Sequence, residues 1–217
     1  VVAQCGDDLW VTVGISSPSH WLAAKRADEA GQAGADAVMA APPPMAKPNE
    51  AVLFDYYKVI HEATSLPVVV QDYPAESGVH MMPEFVARLN AELSRARYLK
   101  LEDSPTPPKV TRILALTGDD MSIFGGLGGS FLFEELARGA IGTMTGFAYP
   151  EVLVDIYKRM QSGDRSGSRE VFNRWIPLIR YENQPGIGLS VRKHIMMRRG
   201  LLDTAYIRPP GPSIDQP

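Results

Sequence analysis

The chain has 217 residues, 45% of them hydrophobic, enough for one sizeable core. Its 22 basic and 25 acidic residues nearly balance, so no basic stripe marks a nucleic-acid partner. The single cysteine, Cys5, excludes an internal disulfide and fits a reducing, cytoplasmic compartment. No apolar run reaches about 18 residues, so no membrane span is expected. His20, His61, His80 and His194 lie far apart, without metal-ligand spacing. Neither a metal nor another cofactor is expected.

Strand-like and helix-like segments alternate along the chain. Leu9–Ile15 is an apolar, β-branched run, and Pro18–Ala33 follows as a helix with Ala23, Ala27 and Ala30 at helical spacing. Ala35–Ala41 is a second strand, stopped by Pro42-Pro43-Pro44. Asn49 can cap a helix that runs to about Thr64 and buries Leu53, Tyr57 and Ile60. Pro67–Asp72 is a third strand and Pro83–Leu93 the next helix. Arg97–Leu101 is the fourth strand, followed by a helix over Pro108–Leu116. Met121–Phe124 is a short fifth strand, Ser130–Arg138 a helix, and Ala140–Thr145 a sixth strand. From Glu151 the pattern changes to helices at about 151–162, 167–181 and 186–199, and Pro209–Pro217 is a Pro-rich tail. The basic run from Arg192 to Arg199 is expected to be a solvated helix face, since Ile195, Met196 and Met197 interrupt it.

Near-continuous apolar strands separated by helices predict a parallel sheet covered on both faces, hence an α/β fold. A doubly wound nucleotide-binding sheet would carry its glycine-rich turn after the first strand. Here Gly125-Gly126-Leu127-Gly128-Gly129 follows the fifth strand and lacks the lysine of a phosphate-binding loop, so nucleotide binding is not expected.

One lysine stands where a buried strand should carry apolar residues. In Tyr98-Leu99-Lys100-Leu101-Glu102, alternation puts Leu99 and Leu101 on one face and Tyr98, Lys100 and Glu102 on the other. If the leucines meet covering helices, Lys100 points into the interior of a sheet or barrel. A neutral amine held there can attack a ketone and form a Schiff base. A lysine at a strand end that extends to solvent is the alternative.

The order of VTVGI, AGADAVMAAPPP, LPVVVQDYPAESGV, YLKLEDSPTPPKV, the FGG turn, GAIGTMTGFAYPE and IGLSVRKHIMMRRGLLDTAYIRPP resembles the dihydrodipicolinate synthase/N-acetylneuraminate lyase family of class I, Schiff-base-forming lyases. The resemblance implies a partial (β/α)8 barrel carrying strands three to eight over residues 1–149, with a C-terminal helical extension over 150–217. On that reading the chain is N-terminally incomplete by roughly 70–80 residues against the usual barrel length. Val1–Gly6 would be the tail of the second barrel helix. The resemblance further implies that Lys100 is the Schiff-base lysine for a 2-oxo acid. Gly125 and Gly126 would offer backbone donors to the substrate carboxylate, Met144 backbone atoms, and Thr143 or Thr145 a hydroxyl. A homo-oligomer, dimer or tetramer, is also implied.

Three departures refine the resemblance. Gln71 stands where the best-known members carry a proton-relaying tyrosine, within Gln71-Asp72-Tyr73-Pro74. A glutamine amide holds a hydroxyl or water but cannot shuttle a proton as an acid. A further tyrosine after the fourth barrel strand is replaced in Pro42-Pro43-Pro44. The hydroxyl-rich turn after the second barrel strand has no counterpart. Gln-Asp for Tyr-Asn, with Lys100-Leu101-Glu102, looks more like the 2-keto-3-deoxy-sugar-acid dehydratases, notably the L-2-keto-3-deoxyarabonate type. Glu102 shares the parity of Lys100 and is the nearest acid/base candidate, with a salt bridge to a loop cation as the alternative. Tyr73 and Tyr149 are secondary candidates, with simple packing as the alternative for either, and Asp72 and Tyr73 are counted among the substrate-binding residues. Dehydration is expected over aldol cleavage or condensation of pyruvate; a non-catalytic 2-oxo-acid-binding relative and an inactive truncated chain are the other readings.

Overall fold

The computed structural model describes residues 1–6 and 9–214; the end of the Pro209–Pro217 tail, from Asp215, lies outside the described residues. The chain forms two compact units, Val1–Phe124 with Arg138–Ile141, and Gly125–Ala137 with Gly142–Pro217.

The first unit begins with a short helix, α1 (Val2–Cys5). Four βα steps and a fifth strand follow: β1 (Thr12–Gly14), α2 (His20–Gln32), β2 (Ala37–Ala40), α3 (Glu50–Ala63), β3 (Val68–Asp72), the single turn α4 (Pro74–Ser77), α5 (Pro83–Glu92), β4 (Tyr98–Leu101), α6 (Thr106–Thr117) and β5 (Ser122–Gly125). The five strands of this unit lie in chain order, β1-β2-β3-β4-β5, and neighbours pair in parallel. A doubly wound sheet reverses its strand order at a switch point. This order never reverses, which is the progression of a (β/α) barrel. The segments sit where the sequence places them, with shorter strands: Leu9–Ile15 is extended only over Thr12–Gly14, and Ala140–Thr145 only over β6 (Gly142–Thr143).

Helix starts follow local chemistry. Asn49 Oδ1 accepts from the backbone N–H of Ala51 at 2.9 Å and caps α3, as expected; Ser19 caps α2 through Leu22. Prolines open α5 and α6, where the missing N–H costs nothing.

The core of this unit lies on one face of the sheet. Val38, Ala40, Val68, Val70, Leu99, Leu101 and Ile123 pack against Ala27 of α2, Leu53, Tyr57 and Ile60 of α3, Val86 and Leu89 of α5, and Val110 and Ile113 of α6. The helices thus cover one face rather than the two read from the apolar runs. The runs look continuous because the second face also carries apolar groups: Met39, Val69, Tyr98 and Phe124 alternate with the core set. Tyr98 lies 6.3 Å from Trp10 and 6.4 Å from Phe124, ring centre to ring centre.

The second unit holds α7 (Leu132–Leu136), β6, α8 (Pro150–Gln161), α9 (Arg165–Glu182) and α10 (Gly188–Arg198). Its core joins Leu132, Leu136, Phe147, Leu153, Ile156, Phe172 and Ile179. The basic run of α10 is not a solvated face. Arg192 Nε donates to the buried Glu182 at 2.5 Å, Arg199 donates to the Ala148 carbonyl and to Glu151, and Lys193 donates to the Tyr206 carbonyl. A buried carboxylate and backbone carbonyls recruit these cations inward, something the interrupted sequence pattern does not report. No helix among the described residues is long and apolar enough to cross a membrane.

Candidate active site

The β3–β4 register builds the first cluster. Gln71 pairs with Lys100, and Asp72 with Leu101. Side chains at paired positions of parallel strands point to the same face, so Gln71 and Lys100 are neighbours on the helix-free face. One residue beyond β4, the Glu102 N–H donates to the Asp72 carbonyl at 2.8 Å. That bond continues the ladder and keeps Glu102 on the face of Lys100.

The three side chains converge. Lys100 Nζ lies 3.2 Å from Glu102 Oε2, and Gln71 Nε2 donates to the same oxygen at 2.7 Å. Only 14% of the Lys100 side chain and 9% of Glu102 are exposed, so neither extends to bulk solvent. The amide of Gln71 carries no titrating proton, and it fixes the carboxylate against the amine. Tyr73, at the start of α4, stands near this group electrostatically: burial raises its phenol above its ordinary value, and the charges of Glu102 and Glu76 add to the effect. An amine beside a positioned carboxylate can pass its proton there on becoming a nucleophile.

Asp72 is not part of this cluster. Sequence reading groups it with Gln71 and Tyr73, but alternation turns it to the helix-covered face, where it is fully buried. There it accepts from Lys109 Nζ of α6 at 2.5 Å, while Lys109 also reaches Asp103 at 2.8 Å, and Asp103 meets His80 at 3.0 Å. Burial raises the Asp72 carboxyl above the usual carboxylate range, and the Lys109 charge offsets part of that. Lys109 and Asp103 were not legible as a pair in sequence; the parity of Asp72, opposite to Gln71, is the signal that a buried cation was needed.

Beside Gln71, the ends of β1, β2 and β3 enclose a cavity of about 220 Å3. Ser16, Ser17, Gln71 and Glu76 line it together with the wall Pro42-Pro43-Pro44.

The second unit holds the remaining predicted residues. Met144 N donates to the Gly125 carbonyl at 3.0 Å, so the GTMTG segment is hydrogen-bonded to the glycine turn. A Cβ at Gly125 would overlap the buried carboxylate of Glu135, so only glycine fits there. Thr143 Oγ1 is buried with no hydrogen-bond partner among the described residues. Tyr149 packs between Phe147 and Trp175, with the Arg199 guanidinium 4.3 Å above its ring, and serves the core of this unit. Behind Gly146, the Arg192 guanidinium occupies the space a Cβ would take, and Glu182 holds both Arg192 and the Ala148 N–H. Among the described residues no group of three or more His, Cys, Asp or Glu side chains is arranged to hold a metal ion.

Comparison with known proteins agrees with this architecture. The model of the dihydrodipicolinate synthetase family matches residues 1–216. L-2-keto-3-deoxyarabonate dehydratase of Azospirillum brasilense is 31% identical over 208 residues, covering 94% of this chain and 67% of the relative. 4-Hydroxy-tetrahydrodipicolinate synthase of Methanothrix thermoacetophila is 31% identical over 183 residues, covering 83% and 61%. The crystal structure of dihydrodipicolinate synthase from Rhodopseudomonas palustris superposes with a TM-score of 0.89 at 37% identity, over 96% of this chain and 71% of that one. The chain therefore spans about three-fifths to two-thirds of the length of these curated relatives. It shows the fold class read from the sequence, strands three to eight of a (β/α)8 barrel followed by helices, and it belongs to the dihydrodipicolinate synthetase family.

Proposed function

We propose that this chain carries the chemistry of a Schiff-base-forming lyase that dehydrates a 2-keto-3-deoxy sugar acid, with Lys100 as the imine-forming residue. The observation that carries the reading is the convergence of Lys100, Glu102 and Gln71 on the helix-free face of β3 and β4. Lys100 Nζ adds to the C2 ketone, and loss of water gives an iminium. The iminium draws electrons from C3, so a C3 proton is lost to a base and an enamine forms. The enamine expels the C4 hydroxyl, which leaves as water with the proton the base took from C3. Hydrolysis returns Lys100 and consumes the water released on imine formation, so one water is lost overall. Glu102, 3.2 Å from Nζ, is placed to receive the amine proton and to serve the steps at C2 and C3. Gln71 holds Glu102 in place. Gly125, Gly126 and a hydroxyl of Thr143 or Thr145, with the backbone of Met144, are the proposed donors to the 2-oxo-acid carboxylate. The domain division at 149/150 belongs to the same reading: barrel segments carry the chemistry and the later helices support them.

Two points support dehydration over aldol cleavage: the resemblance sets Gln71, whose amide carries no titrating proton, where a proton-relaying tyrosine is expected, and a dehydratase is among the matched relatives. The synthases among those relatives favour the second reading, in which pyruvate is condensed. Incubation with pyruvate and borohydride, followed by peptide mapping, tests the lysine; an adduct on Lys100 is expected, and turnover without one refutes it. Assay with 2-keto-3-deoxypentonates separates the reactions. A semialdehyde without pyruvate supports dehydration, and stoichiometric pyruvate plus an aldehyde supports the alternative.

A further inference from the structure

The 220 Å3 cavity beside Gln71 has a chemical character of its own. One wall is Pro42-Pro43-Pro44, three consecutive residues without a backbone N–H. The strand-end loop that could have offered main-chain donors to an anion therefore offers none over this stretch. Glu76, an exposed residue of α4, is the one acidic residue among those lining the cavity. Glu102 lies on the other side of Gln71, bonded to its amide. No cationic side chain lines the cavity among the described residues. Two cations contact lining residues or their partners: Arg26 donates to the Ser16 carbonyl at 2.7 Å, and Lys100 pairs in register with Gln71 and lies 3.2 Å from Glu102.

The polar groups that do face the cavity suit hydroxyls. Ser16 Oγ accepts from the Ala41 N–H at 2.9 Å, which leaves the serine proton to donate. Gln71 uses its NH2 group on Glu102, which leaves its carbonyl oxygen as an acceptor. A hydroxyl can donate to the Gln71 carbonyl and accept from Ser16. A carboxylate can do only the second, and it meets Glu76.

We propose that this cavity receives the distal end of the 2-oxo acid and selects a hydroxylated tail over a carboxylated one, with Glu76 acting as the residue that excludes a second carboxylate. This inference rests on the function proposed above and adds which 2-oxo acids are taken.

Two matched compounds test it, 2-oxo-5-hydroxypentanoate and 2-oxoglutarate. They share their length and their 2-oxo-acid head, and neither has a C4 hydroxyl to lose. Calorimetric titration of the protein is expected to show tighter binding of the hydroxylated compound. In Glu76→Gln the ratio of the two dissociation constants is expected to fall on the order of fivefold, the scale of one solvent-screened charge. Glu76→Arg is expected to lower it further or invert it. Equal binding of the two compounds by the unaltered protein, or a ratio that neither variant moves, overturns the inference. Borohydride trapping with pyruvate, which has no tail, is read separately. Trapping without tail discrimination refutes this inference alone, and tail discrimination without trapping refutes the imine chemistry alone.

Discussion

Two lysines of the first unit each meet a carboxylate at the ends of β3 and β4, on opposite faces of the sheet, and they teach opposite lessons. Lys100 stands on the helix-free face, 3.2 Å from Glu102, with an amide as the third member. Lys109 reaches in from α6 on the helix-covered face and bonds the fully buried Asp72 and Asp103. The sheet separates the two groups by one residue of alternation, since Gln71 and Asp72 are consecutive. The Lys109 group spans a strand, a loop and a helix, which is what an ion pair that fixes packing does. The Lys100 group joins only neighbouring strand ends, on the face that the helices leave uncovered.

The largest expected effect sets chemistry against packing. Lys100→Arg is expected to abolish borohydride-trapped adduct, because an arginine stays protonated and cannot add to a ketone. Its denaturation midpoint is expected to move little. Adduct formation by Lys100→Arg, or a large loss of stability, would erase the distinction drawn between the two lysines.

Lys109→Leu should behave in the reverse way. It leaves Asp72 buried without its cation, and urea unfolding is expected to show a loss of about 3–5 kcal/mol. The double variant Lys109→Leu/Asp72→Leu is expected to lose less than the single one, because the orphaned charge is removed with its partner. A double variant that loses more would mean that the pair does more than satisfy burial.

Glu102→Gln keeps the shape of the first group and removes its proton acceptor. The turnover number is expected to fall on the order of 10²–10⁴-fold, the usual contribution of a positioned acid/base group. Stopped-flow or steady-state assay with a 2-keto-3-deoxypentonate measures it. An unchanged turnover number would reassign Glu102 to holding Lys100 alone.

The smallest effect is in pH. Burial raises the Asp72 carboxyl above its ordinary 3.8, with Lys109 offsetting part of the shift. The folded chain therefore holds this proton more tightly than the unfolded chain. The resulting stabilisation is complete below 3.8 and is lost as pH rises through the folded value. The difference in unfolding free energy between the unaltered protein and Asp72→Asn should fall across that window. A difference that grows with pH would show that the Lys109 pair outweighs burial.

Much of this was legible in the sequence. Periodicity located the strands and the longer helices of the alternating region to within a few residues and missed the single turn α4, because helix caps and prolines are local signals while one turn has no period: Asn49 caps α3 through Ala51 and Val52 as its residue type requires. The parity of Lys100 and Glu102 was also legible, since strand alternation needs no tertiary information. Parity was available for Asp72 too, yet the likeness of Gln71-Asp72-Tyr73-Pro74 to a family motif drew it into the wrong group.

What the sequence by itself determined is the face to which each strand residue points, and hence that an amine and a carboxylate share the face opposite Leu99 and Leu101. Tertiary structure decided who meets whom. Register set Gln71 beside Lys100, which no spacing in the chain reports for residues 29 positions apart. The packing of α6 on the sheet delivered Lys109 to Asp72, and the packing of α9 against α10 delivered Arg192 to Glu182. The physical reason is the same in each case. A buried charge must be matched by an opposite one, and the chain is free to bring that partner from any element that the fold packs alongside.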